Sequence, residues 1–281
     1  MNKYTVEIIG CGNKGALADA PGSGNEHKYL SYAHAVRDHD GFELSRFADK
    51  LGGFDELSRA EELWGVGTLE RYPDVVVIAT PDDKHYGHLM RIIDQESCYL
   101  PKLVICEKPL CEKVSEAEDI VKLYHREKVP LLVDYTRRFI PYWQEMFELR
   151  KKQAGQFLHG YCVFNRGWMH TASHFVDTAL WFNMFPRFGM GTTARLQLTE
   201  VAPDYQWVYQ WGLFFERDFF SEHSANREHG EQPNPIYDNH TKYVMENAYN
   251  FLEGKEHLRC TGMDALLALK ATHAIMERGK G

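Results

Sequence analysis

The chain has 281 residues, of which 44% are hydrophobic and 26% charged, and a formal net charge of -8 at pH 7. This length holds two domains of ordinary size, and the composition is that of a folded globular protein without low-complexity tracts. An acidic balance with scattered Lys and Arg excludes a surface built to neutralise nucleic-acid phosphates, although backbone N–H groups remain able to bind an anionic nucleotide.

Tyr4 to Ile9 (YTVEII) is a short β-branched and aromatic run ending in glycine, the pattern of a buried strand entering a turn. Gly10-Cys11-Gly12-Asn13-Lys14-Gly15 follows at once as a full G-x-G-x-x-G. Such glycines permit a tight turn and the close approach of a pyrophosphate, whose charge is met by N–H groups at a helix start. Pro21, Gly22 and Gly24 interrupt the helix expected next, and helical periodicity resumes over Tyr29 to His39. A second strand, Phe42 to Ala48, closes on Asp49, an acidic residue suited to ribose hydroxyls, which favours NAD over NADP. Asp49 lies 34 positions after Gly15 (49 minus 15), against about 20 in the usual fingerprint. The excess falls in the interrupted segment. Arg46 and Lys50 nearby keep NADP open.

Further along, helical periodicity over Phe54 to Trp64, His85 to Gln95 and Ser115 to Lys128 alternates with strand patterns at Asp74 to Thr80, Leu103 to Cys106 and Leu131 to Val133. DVVVIAT is apolar throughout, as a strand covered on both faces must be. The alternation predicts an α/β fold whose first domain, residues 1–134, is a doubly wound parallel sheet of the Rossmann kind. Glu107-Lys108-Pro109 stands at the carboxyl end of the fourth strand, the edge where open α/β sheets place ligands, so Lys108 is positioned to reach a substrate or nicotinamide.

After Asp134 the pattern changes. Gln156 to Asn165, Thr193 to Val201 and Trp207 to Phe215 read as strands without helices between them, and a polar tract runs from Glu222 to His240. This predicts a second domain, residues 135–281, with an open, mostly antiparallel sheet and two helices, about Thr171 to Asn183 and Asp264 to Arg278. The last helix is free to pack back on the first domain. His170, His174 and Asp177 fall on one stripe of the earlier helix, at intervals of four and three. Their spacing lacks the Glu of a zinc H-E-x-x-H, and no metal site is expected. His223, His229 and His240, in the polar tract, read as solvated.

Cys11, Cys98, Cys106, Cys111, Cys162 and Cys260 form no C-x-x-C pair, which suits a reducing compartment. The opening residues show no secretory leader, and no apolar run reaches the ~20 residues of a membrane span. A cytoplasmic protein is expected, with no nucleic-acid or membrane partner.

GCGNKG, ATPDDKH (Ala79 to His85), CEKPL (Cys106 to Leu110), RRFIP (Arg137 to Pro141), SHFVD (Ser173 to Asp177) and TGMDALLALK, in this order and separation, resemble the Gfo/Idh/MocA family of sugar-related dehydrogenases. The resemblance implies an NAD- or NADP-dependent oxidoreductase, acting on a hydroxyl or keto group of a sugar, polyol or nucleotide sugar and assembling as a homodimer or homotetramer. Carried over by motif, Lys108 holds the reacting hydroxyl and His174 moves its proton. Gly10, Gly12, Asn13, Lys14, Gly15, Asp49, Thr80, Pro81, His85, Glu107 and Lys108 become the expected cofactor contacts. Tyr135, Arg137, Arg138, Asn165, Trp168, His170 and Asp177 become the expected substrate pocket. Many members carry Asp four residues before the catalytic His, and His170 stands there instead. Two alternatives therefore stay open: a non-catalytic nicotinamide-binding regulator, and an NAD-assisted sugar hydrolase or lyase. Asp177 either orients His174 or caps and pairs within the domain interface.

Overall fold

The computed structural model of the chain describes residues 3–49, 54–66, 72–94, 99–153, 157–165, 167–182, 195–200, 208–215, 219–225 and 237–278. The chain divides into two compact units, Met1–Thr136 with Asp238–Leu266, and Arg137–Tyr237 with Leu267–Gly281.

The first unit is built on five parallel strands, β1 (Tyr4–Ile9), β2 (Phe42–Ala48), β3 (Val75–Ile78), β4 (Leu103–Glu107) and β5 (Leu131–Asp134), in the order β2-β1-β3-β4-β5. Every residue of β3 is buried, which accounts for its unbroken apolar run. The strand order reverses between β1 and β3, so the loops leaving their carboxyl ends diverge and open a crevice there. Gly10–Gly15 and Ala79–Pro81 lie at that edge. Helices α1 (Tyr32–Arg37), α2 (Phe54–Trp64), α3 (His85–Ile93) and α4 (Val114–Arg126) make the crossovers. Helix α3 buries Leu89 and Ile92, α4 buries Ala117, Ile120 and Tyr124, and the Tyr124 hydroxyl donates to the Leu89 carbonyl at 3.0 Å.

The interrupted first helix takes a form that its composition does not announce. The glycine loop passes into a single π-helical turn, Asn13–Leu17, and α1 begins only at Tyr32. Asp19, 1% exposed, spans the gap. Its carboxylate accepts from Leu30 N–H at 2.6 Å, from Ser31 N–H at 3.0 Å and from the Ser31 hydroxyl, and faces His34 Nδ1 at 3.1 Å. Ser31 then caps α1 by accepting from His34 N–H. One buried anion thus closes the inserted loop and starts the next helix.

Asp238–Leu266 returns to this unit with a helix that the sequence pattern does not flag, α5 (His240–Leu252), although Thr241, Val244, Met245 and Ala248 are its buried residues at helical spacing. It docks on the inserted loop. Tyr29 N–H donates to the Asp238 carbonyl at 2.7 Å, the Thr241 hydroxyl donates to the Tyr29 carbonyl at 2.7 Å, and buried Lys28 pairs with Asp238. The Val133 N–H then donates to the Cys260 carbonyl, and Thr261 bridges Leu132 in antiparallel fashion, so the segment also covers the β5 edge. The last helix, α6 (Gly262–Arg278), starts from a reciprocal cap in which Thr261 N–H donates to Asp264 and Asp264 N–H donates to the Thr261 hydroxyl.

The second unit carries the strands β6 (Phe157–Phe164), β7 (Arg195–Glu200), β8 (Val208–Phe215) and β9 (Phe219–Ala225) in the order β7-β6-β8-β9. Pairing is antiparallel except between β6 and β7. Strand β9 occupies the start of the tract expected to be a polar loop; Trp207, His229 and Lys50 lie outside the described residues. A helix not expected from the pattern, α7 (Pro141–Gln153), opens with proline in the first-turn position where its missing N–H costs nothing. Its Phe147 stacks on Trp181 at 4.9 Å, at the end of α8 (Ser173–Trp181).

Replacing Asp19 with Ala strands two backbone donors and a hydroxyl in a buried site, and is expected to cost about 2–4 kcal/mol. Urea denaturation measures this, and limited proteolysis is expected to cut within residues 18–31 first.

Candidate functional site

The glycine loop is shaped as a phosphate cradle. Gly10 has φ +100°, and a Cβ there would lie 2.7 Å from the Ala79 carbonyl; a Cβ on Gly15 would lie 1.9 Å from the Gly10 oxygen. These two glycines let the loop pack against the exit of β3 and against itself. Gly12 differs, since a Cβ there would meet nothing within 4 Å. Open space at the middle glycine, next to the unpaired N–H groups that begin any helical turn, is what a pyrophosphate requires. Asp49 accepts from Cys11 N–H at 3.0 Å, tying the acidic end of β2 to the loop. Thr80 Oγ1 is buried without a hydrogen-bond partner among the described residues, at the carboxyl end of β3. These residues fit a bound dinucleotide.

Charge around the β2 end sorts the two cofactors. Arg46 makes a forked pair with Glu7, Nε at 2.9 Å and Nη2 at 2.7 Å, so its guanidinium is committed to a carboxylate within the sheet. A 2′-phosphate would have to compete with Glu7 for it and would face Asp49. Pro81 leads into a 3₁₀ turn, Asp82–Lys84. His85, expected among the cofactor contacts, is fully buried instead, with Nδ1 2.8 Å from the Pro109 carbonyl and Nε2 2.9 Å from the Thr80 carbonyl. Its ring is a strut that holds the β3 exit to the loop after β4.

At that second loop Glu107 and Asp134 end β4 and β5 directly opposite each other in register. Two neighbouring carboxylates in a largely buried site need a cation, and the glycine loop supplies it. Lys14 Nζ lies 3.2 Å from Glu107 Oε1 and 3.2 Å from Asp134 Oδ2. The Tyr32 hydroxyl reaches Asp134 at 2.9 Å and Glu107 at 3.1 Å, the Thr136 hydroxyl donates to Asp134 at 3.0 Å, and His240 Nε2 stands 2.5 Å from Lys14 Nζ. The Lys14 side chain turns to these carboxylates while its backbone stays in the glycine loop. One expectation is corrected here. His240 is no solvated loop residue, since α5 starts with it against Lys14.

The environment displaces the acid–base behaviour of these groups. Burial raises Glu107, and repulsion by Asp134 adds to it beyond the opposing pull of Lys14 and Lys108, to about 7. Burial pulls against the charged form of Lys14, but Asp134 and Glu107 outweigh it and raise the lysine. Lys108, 8% exposed, is lowered by burial despite Glu107 and Asp82. A buried lysine with a weakened hold on its proton, one residue from a carboxyl poised near neutrality, can hydrogen-bond or exchange protons with a reacting hydroxyl.

The second unit holds the other sequence-selected residues. Gly167, at φ +86°, turns the chain out of β6 into a π-helical turn, Trp168–Ala172, that runs into α8. π-Turns recur at functional sites because they re-aim side chains. His170 on this turn is exposed, His174 on α8 is half-buried, and Asn165 is buried at the end of β6, where Phe164 packs edge-on to Trp168 at 5.1 Å. Asp177 resolves between its two readings toward pairing: Arg138 Nε and Nη2 grip its carboxylate at 3.1 and 2.9 Å, both residues being buried. Arg137 lies within 6.0 Å of the Trp143 ring and 5.7 Å of the Tyr237 ring. Tyr135, of the first unit, is buried at the end of β5. Among the described residues no group of three or more His, Cys, Asp and Glu could hold a metal ion, and no helix is long and apolar enough to cross a membrane.

Comparison with known proteins agrees with this geometry. Residues 4–135 match the family model described as an oxidoreductase family with an NAD-binding Rossmann fold. Inositol 2-dehydrogenase of Mycolicibacterium smegmatis is 38% identical over 85 residues, 30% of this chain and 23% of that protein. Oxidoreductase P35 of Formosa agariphila is 28% identical over 142 residues, 50% and 41% of the two chains. The match thus spans less than half the length of either curated relative. Among solved structures, a putative myo-inositol dehydrogenase from Sinorhizobium meliloti superposes with a TM-score of 0.71 at 14% identity, covering 97% of this chain and 96% of its own. The WlbA dehydrogenase from Bordetella pertussis, in complex with NADH and UDP-GlcNAcA, gives 0.68 at 17% identity, with 95% and 94% covered. Both likenesses show the fold through both units.

The raised Glu107 fixes the sign of a pH effect. The native protein keeps a proton that the unfolded chain releases above about 4.5, so the stability from this site is present at low pH and lost as pH rises through about 7. Glu107→Gln removes the loss. The difference in Tm, variant minus parent, is expected to grow more positive between about pH 5 and about pH 8 in thermal melts.

Proposed function

We propose, for a chain that belongs through its residues 4–135 to the Gfo/Idh/MocA oxidoreductase family, that it transfers a hydride between NAD and a hydroxyl or keto carbon of a sugar, polyol or nucleotide sugar. The observation that carries this reading is Lys108, a buried amine with lowered proton affinity at the carboxyl end of β4, in the same unit as an open glycine cradle. The nicotinamide, when bound, supplies the hydride acceptor or donor. The chain's own residues do the rest. Lys108 holds the reacting oxygen by hydrogen bonding, and His174, half-buried on α8, takes the hydroxyl proton during oxidation and returns it during reduction. The Arg138–Asp177 pair fixes the face of α8 that carries His174, as a positioning element beneath it. The substrate class draws support from the inositol and UDP-sugar names borne by similar proteins.

Turnover of inositol, free sugars and UDP-linked sugars, followed by NADH absorbance, tests the reading. Lys108→Ala and His174→Ala are each expected to lose about 10²–10⁴ in rate with NADH affinity largely kept. Undiminished turnover in His174→Ala would remove it from proton transfer. A wild-type protein that binds NADH yet turns over none of these alcohols would support the regulator reading.

A further inference from the structure

The cluster around Lys14 does more than fill a buried space. Its charge does not cancel. Two carboxylates, Glu107 and Asp134, share the ammonium of Lys14. In its contact with Lys14, His240 Nε2 is the acceptor of an ammonium N–H, and so brings no proton of its own to that nitrogen. The Tyr32 and Thr136 hydroxyls are neutral donors. With the His240 ring neutral and both carboxylates ionised, these groups carry one net negative charge; with Glu107 protonated they carry none. Facing Glu107 are Lys14 from the glycine loop, Tyr32 from α1, Asp134 from β5 and its neighbour Lys108, itself facing Asp82.

This set sits at the carboxyl ends of β4 and β5, beside the lysine assigned to the reacting oxygen. We propose that the Glu107–Lys14–Asp134 cluster is a proton-linked selector of cofactor redox state, with Glu107 ionised when the positively charged oxidised nicotinamide is bound and protonated when the neutral reduced ring is bound. The inference rests on the dehydrogenase reading above. Its physical basis is that a cation added beside a titratable carboxyl favours the ionised form, whereas a neutral ring does not. A carboxyl held near pH 7 responds to that added charge within the working range, which an ordinary glutamate, ionised throughout, does not. Reciprocity follows, because a ligand that expels a proton binds more tightly as pH rises.

Isothermal titration of wild-type protein with oxidised NAD and with NADH, at pH 7 in PIPES and in imidazole, reads the protons exchanged from the difference in heat between buffers of unlike ionisation enthalpy. Oxidised NAD is expected to release a fraction of a proton, and NADH to release none or take some up. The ratio of the Kd of oxidised NAD to that of NADH is expected to fall severalfold from about pH 6 to about pH 8. Glu107→Gln is expected to abolish the difference in proton exchange between the two forms, whatever its effect on the affinity they share. Lys14→Gln, which leaves two carboxylates to share a proton, is expected to move the release to higher pH. Equal proton exchange for the two forms, or a difference unchanged in Glu107→Gln, would overturn the selector while leaving the dehydrogenase reading intact. Failure of wild type to bind either form would instead overturn that reading.

Discussion

Two carboxylates placed side by side at the ends of β4 and β5 cannot both be buried and ionised without a cation between them. Lys14 answers that requirement from the middle of the glycine loop, and the answer organises the unit around it. The loop after β1 is tied to the end of the sheet. Helix α1 contributes Tyr32 to the same carboxylates, and α5, nearly the whole chain away, contributes His240. Five separate segments therefore meet at the edge where a Rossmann sheet receives its ligand. The return of Asp238–Leu266 to the first unit, covering the β5 edge, is the tertiary counterpart of the same constraint.

A second buried carboxylate resolves the other departure from a regular dinucleotide fold. An insertion rich in Gly and Pro after the glycine loop would be expected to spoil the helix whose start binds phosphate. Asp19 gathers Leu30, Ser31 and His34 into one node, so the chain leaves the π-helical turn, makes its excursion, and re-enters α1 at a defined point. The phosphate-facing turn survives while the helix behind it does not.

Local pattern made much of this legible. Short apolar and aromatic runs ending in glycine, acid or proline mark most of β1 to β5, and the glycine spacing marks the cradle. Lys108 could be selected from its place at a strand end alone. What remained hidden lies in pairings over long sequence distance. Nothing near Lys14 indicates that it will turn toward residues 107 and 134, and His240 sits in a tract whose composition argues for solvent. Helix α5 shows an apolar stripe, but the polar residues before it mask its start. Asp177 was open to two roles because its partner, Arg138, is 39 residues earlier; a spacing rule within one helix cannot see that far.

With Arg46 engaged by Glu7 and Asp49 closing β2, the glycine cradle suits a nicotinamide dinucleotide without a 2′-phosphate. Titration of the protein with NADH and with NADPH, following energy transfer from its six tryptophans, tests it most directly. Saturable binding of NADH is expected, tighter than that of NADPH by about tenfold or more, as a 2′-phosphate set against an acidic side chain implies. Tighter binding of NADPH would contradict the cofactor assignment. Binding of neither, with no nucleotide released on denaturation, would contradict the cradle itself.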